Sequence, residues 1–159
     1  PAGELSLSFG QAFCGVGWSL RQTLVWVKDS IVLGHCDYHY RHEPILYGYK
    51  RGSGRRGRGS GGWHGDDSQA SVLEVPRPKA SEAHPTMKPP ELNELCLRNS
   101  SRAGALVVDP FAGSGSTLVA CEQSGRVARL VELDPAYCDV ILARWVELGG
   151  AKPRKVAHK

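Results

Sequence analysis

The chain has 159 residues, a formal net charge of +4 and an ordinary apolar share of 41%, which fits one globular domain with a sizeable core. No apolar run approaches the ~20 residues of a membrane span, and no signal-peptide pattern opens the chain. Five cysteines without a Cys-x-x-Cys pair argue against a disulfide framework and fit a reducing, cytoplasmic setting.

Residues 17–28 read as a helix end leading into a buried strand around 24–27, and a second strand is expected over 44–49. Between them, His35, Cys36, His39 and His42 have spacings that could supply zinc ligands. A complete paired-ligand pattern is missing, so no metal site is assigned. Arg51, Arg55, Arg56 and Arg58 then lie in a stretch otherwise made of Gly and Ser, which cannot build a core. Two readings stand for this stretch. Its arginines could neutralise nucleic-acid phosphates in a salt-dependent, sequence-blind way, with Trp63 and His64 at its edge, or it is a solvated surface loop.

His84-Pro-Thr-Met-Lys-Pro-Pro90 precedes a helical stretch over 91–99, whose apolar positions are Leu92, Leu95 and Cys96. Its prolines suppress helix until the last of them can serve as a first-turn residue. Thr86 and Lys88 offer a hydroxyl and an ammonium to a carboxylate. The alternative is a rigid helix-entry loop with a solvated lysine.

The apolar run 105–108 has the branched character of a buried strand. It enters Asp109-Pro-Phe-Ala-Gly-Ser-Gly-Ser-Thr117, and a helix is expected from Thr117 to a stop at Gly125. Strand, glycine-bearing turn and helix open a dinucleotide-style unit, with Asp109 at the strand's carboxyl end where ligands of open α/β sheets bind. A second parallel strand over 127–131 leads to Glu132, 23 positions after Asp109. That is near the ~20-residue offset at which an acid meets ribose hydroxyls. Asp134-Pro135 signals a helix start. Tyr137, Val140, Ile141, Arg144, Trp145 and Leu148 then recur at three- and four-residue steps and predict one packing face. The basic residues 152–159 read as a frayed terminus.

Gly113-Ser-Gly115 lacks the third glycine of a nicotinamide fingerprint, and no lysine in the turn supports a Walker-type loop. The run from Asp109 to Thr117, with Glu132-Leu-Asp-Pro-Ala-Tyr137 and His84-Pro-Thr-Met-Lys-Pro89, resembles the amino-group DNA methyltransferases that modify adenine N6 or cytosine N4. Less specifically, the segments 17–28 and 34–48 resemble the family's later strands and its Asp-Tyr…His-Glu element. There Trp26, Tyr38 and Tyr40 are candidates for the target-base wall or for core aromatics.

The resemblance implies an α/β fold: a partial Rossmann-like, S-adenosylmethionine-dependent methyltransferase with a mostly parallel sheet. It implies S-adenosyl-L-methionine as cofactor, bound by Asp109, Pro110, Phe111, Ala112, Gly113, Ser114, Gly115, Thr117 and Glu132, with His84, Thr86 and Lys88 around the methionine end. Double-stranded DNA is the implied substrate, contacted by Arg51, Arg55, Arg56 and Arg58, with a companion restriction endonuclease as a further partner and no membrane. Adenine N6 is the expected target and cytosine N4 the alternative. A non-catalytic remnant, or a methyltransferase for another acceptor, also remains open.

The family's Asp/Asn/Ser-Pro-Pro-Tyr/Phe tetrapeptide does not occur in these 159 residues, so no catalytic residue is assigned. The expectation is a carboxyl-terminal portion whose catalytic element lies upstream of Pro1, and hence a weakly stable isolated chain with unpaired sheet edges. The expected layout is later sheet strands and base-pocket wall over 1–50, an Arg/Gly loop over 51–83, the cofactor half over 84–150 and a basic tail over 151–159.

Overall fold

A computed structural model describes residues 5–35, 37–52, 62–76 and 87–156. It divides into two compact units, Pro1–Arg77 and Pro78–Lys159.

The first unit begins with helix α1 (Leu5–Gly15) and the long strand β1 (Trp18–Val32), followed by β2 (Tyr40–Lys50) and the short β3 (Val72–Glu74). Its sheet order is β2-β1-β3, with β1 antiparallel to β2 and parallel to β3. Both expected strands are present and run longer than their apolar segments. The antiparallel ladder carries them through polar residues, with an irregularity between Leu20 and Gln22. Pro44 pairs with Val25 in β2, an edge strand, where a residue without an N–H is tolerated.

Trp26 is 2% exposed and donates its indole N–H to the Val75 carbonyl at 2.7 Å. That geometry makes it a core aromatic, so its candidacy for a base-contacting wall is withdrawn. Lys28 is also buried, paired with Glu43 at 2.8 Å, as a buried ammonium requires. Tyr38 is exposed, and Tyr40 packs edge-on against His42.

The second unit alternates helix and strand: α2 (Pro90–Ser100), β4 (Leu106–Asp109), α3 (Ser116–Gln123), β5 (Val127–Leu130) and α4 (Pro135–Glu147). β4 and β5 pair in parallel, with Leu106 opposite Val127 and Asp109 opposite Leu130. α3 is the centre of the core, with Val119, Ala120 and Cys121 all buried. Leu92 of α2 and Ile141 of α4 complete it. Arg126 ties the end of α3 to the end of α2, donating to the Ser101 carbonyl at 2.7 Å.

In this second unit the expected element boundaries hold to within a residue or two because the local signals are strong. Pro90 occupies the first turn of α2, and Gly125 follows α3 with φ +68°. Asp134 caps α4 by accepting from the Ala136 amide at 2.9 Å. The strand expected to be buried over 105–108 is in fact half-exposed. Leu106 and Val108 are 62% and 64% exposed, while Val107 is half-buried. The cause is one-sided cover: alternate side chains of a strand point to opposite faces, and only one face of the pair is shielded. Likewise only Ile141 of the predicted α4 face is buried.

Candidate functional site

The turn between β4 and α3 is held by its own polar groups. Asp109 Oδ1 accepts from the Phe111 amide at 3.0 Å, and Oδ2 accepts from the Thr117 hydroxyl at 2.6 Å. The carboxylate that ends the strand thereby clips both sides of the turn. Ala112 donates its N–H to the Val131 carbonyl at 3.1 Å, and Gly115 donates to Ala112 at 2.9 Å.

Two glycines are required by this path. Gly113 has φ +52° and Gly115 φ +81°, a region that other residues enter only at a cost. A Cβ on Gly115 would also stand 3.0 Å from Ile141 Cγ1. The second glycine therefore permits α4 to close against the turn.

Glu132 belongs to the same structure. Its Oε2 accepts from the Gly113 amide at 2.7 Å, and Oε1 accepts from the Leu133 and Asp134 amides at 2.8 and 3.0 Å. The acid at the end of β5 thus braces the turn at the end of β4. Arg144 does the same from α4, donating to the Ser114 carbonyl at 2.7 Å and lying 3.7 Å from the Met87 sulfur. Burial lowers the proton affinity of this guanidinium, with Glu147 opposing the shift; an arginine stays charged through such a change.

A cavity of about 400 Å³ opens over the turn, and Lys88, Asn93, Asp109, Phe111, Gly113 and Thr117 are among its walls. Phe111 is 89% exposed, so its ring is available to a ligand, and Ser114 is buried beneath the turn. Pro110 is exposed and Ala112 buried. The structure thus gathers Asp109–Gly115, Thr117, Lys88 and Glu132 into one region. His84, Thr86, Arg55, Arg56, Arg58 and Cys36 lie outside the described residues, and Arg51 is an exposed turn residue in the first unit. Asn93, which lines this cavity, and Arg144, which braces its turn, were not assigned from sequence. Asn93 carried one available signal, an amide among the apolar positions of a helix.

A parallel βαβ pair with a glycine turn after its first strand and an acid after each strand defines the nucleoside-cofactor class of α/β folds. Within that class, the family model described as DNA methylase, of N6/N4 type, matches residues 7–143, and the chain belongs to this family. Type II methyltransferase M.Cfr9I of Citrobacter freundii is 31% identical over 137 residues, covering 80% of this chain and 45% of its own length. The chain therefore spans about half the length of that relative. Among solved structures, the M1.HpyAVI–SAM complex aligns with a TM-score of 0.68 and 23% identity over 90% of this chain and 71% of its own. The cytosine-N4-specific PvuII DNA methyltransferase aligns with a TM-score of 0.70 and 17% identity, over 89% and 56%. The fold is the Rossmann-like α/β methyltransferase fold, with mixed and partly parallel sheets.

Proposed function

We propose that this chain carries the S-adenosylmethionine site of a DNA methyltransferase that modifies an exocyclic amine of a base in duplex DNA. The observation that carries this reading is the braced turn, in which Asp109 and Glu132 hold the two βα turns under a cavity bounded by Lys88 and Phe111. The donor set suits that cofactor. Positive-φ glycines bring backbone close to a ligand, an exposed phenyl ring offers a face to adenine, and an ammonium offers charge to a carboxylate. Glu132 is proposed for the ribose hydroxyls, and Lys88, with His84 and Thr86, for the methionine end.

When bound, the cofactor supplies an electrophilic methyl group on a sulfonium. The residues of this chain bind and orient it, so their contribution is positional. The target base must leave the helical stack to meet the methyl group. Arg51, Arg55, Arg56 and Arg58 are proposed to contact DNA phosphates. Adenine N6 is proposed as the acceptor, with a companion restriction endonuclease in the same system. The likeness to a cytosine-N4 enzyme makes the product assay decisive between the two amines.

The test is titration of the chain with S-adenosylmethionine by calorimetry. Binding by the native chain, weakened in both Asp109→Ala and Glu132→Ala, is the expected result. Unchanged affinity in both variants, with the fold intact, refutes the site. Labelled methyl transfer to duplex DNA, resolved into N6-methyladenine and N4-methylcytosine, identifies the acceptor.

A further inference from the structure

We infer that Asn93, on α2, is a positioning residue of this site: its amide fixes the direction of the Thr117 hydroxyl and so keeps that hydroxyl as a donor to Asp109. The inference rests on the cofactor reading above. Asn93 Nδ2 lies 3.1 Å from Ser116 Oγ and 3.2 Å from Thr117 Oγ1. The Thr117 hydroxyl in turn lies 2.6 Å from Asp109 Oδ2.

The polarity of this relay follows from counting hydrogens. A threonine hydroxyl has one hydrogen to give, and an ionised carboxylate can only accept. Thr117 must therefore donate to Asp109, and its neighbour must approach as a donor. An amide has two N–H groups, enough for both consecutive hydroxyls at the start of α3. With Asn93 in place, the hydroxyl has one direction available to it. Without that donor, the hydroxyl can rotate, and Asp109 loses a fixed partner on the side opposite the Phe111 amide.

The relay links three separate elements: α2 supplies Asn93, α3 supplies Thr117 and β4 supplies Asp109. All three residues line the same cavity, together with the charged Lys88. Asn93 therefore acts on the ligand site through Thr117 and Asp109.

Asn93→Asp isolates this role because it keeps the size of the side chain and removes the donor. At alkaline pH the new carboxylate competes with Asp109 for the one Thr117 hydrogen. When protonated, it can donate again; the Asp109 carboxylate favours that protonation and the Lys88 ammonium in the same cavity opposes it. S-adenosylmethionine affinity of the full chain is measured between pH 5.5 and 8, each value taken as a ratio to the native chain at the same pH. The expected result is roughly tenfold weaker binding at pH 8, the scale of one lost hydrogen bond, recovering towards the native value as the pH falls in the same sample. A second arm compares Asn93→Ala in the native and Thr117→Val backgrounds. Its effect should largely vanish when the hydroxyl is gone. Weakness that does not change with pH, native-like binding by Asn93→Asp at pH 8, or equal effects in both backgrounds overturns the assignment. Failure of the native chain to bind S-adenosylmethionine overturns the cofactor reading and the relay together.

Discussion

Glu132 Oε2 accepts a hydrogen bond from the Gly113 amide at 2.7 Å, so the acid after one strand holds the glycine turn after the other. Glu132→Gln keeps the shape but replaces one acceptor oxygen with a donor group. Either Gly113 or the Leu133–Asp134 pair then faces a donor in place of an acceptor. Leaving such a group unsatisfied costs about 1–3 kcal/mol. Chemical denaturation should show a loss of that order, and S-adenosylmethionine affinity should fall with it. Native stability and affinity in this variant would show that the brace is dispensable.

Gly115 and Gly113 should differ in their tolerance of alanine. Both have positive φ, but only at Gly115 does a Cβ meet a neighbour, Ile141, at 3.0 Å; at Gly113 nothing lies within 4 Å. The backbone term is about 1–2 kcal/mol at each, and overpacking against Ile141 adds to it at Gly115. Thermal melts should place Gly115→Ala clearly below Gly113→Ala. The reverse order would contradict the contact.

Arg144→Met tests the tie from α4. It keeps a long apolar stem but removes the donor to the Ser114 carbonyl. A charge-assisted bond of this kind contributes about 1.5–3 kcal/mol, so a lowered melting temperature and weakened cofactor binding are expected. Arg144→Lys should recover part of both, since an ammonium can still donate but lacks the planar fork. Equal melts for all three proteins would dismiss the tie.

The cysteines should react in an order set by burial. Cys14 is exposed, Cys96 half-buried and Cys121 buried. Burial pushes the Cys96 thiol up. The Cys121 thiol is also raised, first by burial and then by Asp109, with Arg126 opposing. A raised pKa keeps the unreactive thiol form at neutral pH. Timed alkylation at pH 7.5 with peptide mapping should therefore modify Cys14 before Cys96 and Cys121, and denaturant should abolish that order. Early labelling of Cys121 in the folded chain would be inconsistent with this core.

The parts of this molecule legible in its sequence are those written in local backbone chemistry. Asp109, Gly113, Gly115 and the Asp134 cap occupy turns whose geometry a few adjacent residues decide. Glu132 stands out by its place after a strand and its distance from Asp109, and the bonds it makes run to backbone amides. The structure also showed what distance in the chain had hidden. Arg144 read as one more packing residue, and its bond reaches Ser114, 30 positions away. Asn93 lay within an apolar helix pattern, and its partners belong to another helix. β3 has only three residues and exists because β1 offers it a parallel edge. Such features follow from tertiary contact, which no short window of sequence contains.

The one-sided cover of β4 and β5 has a kinetic consequence. Leu106, Val108 and Val127 keep much of their surface in water, whereas parallel strands are ordinarily shielded on both faces. Opening this pair forfeits less burial than opening α3, where Val119, Ala120 and Cys121 are sealed. Amide hydrogens of the strand pair should exchange with deuterium sooner than those of α3. The braced turn would then be fed by a strand that breathes and anchored to a helix that does not.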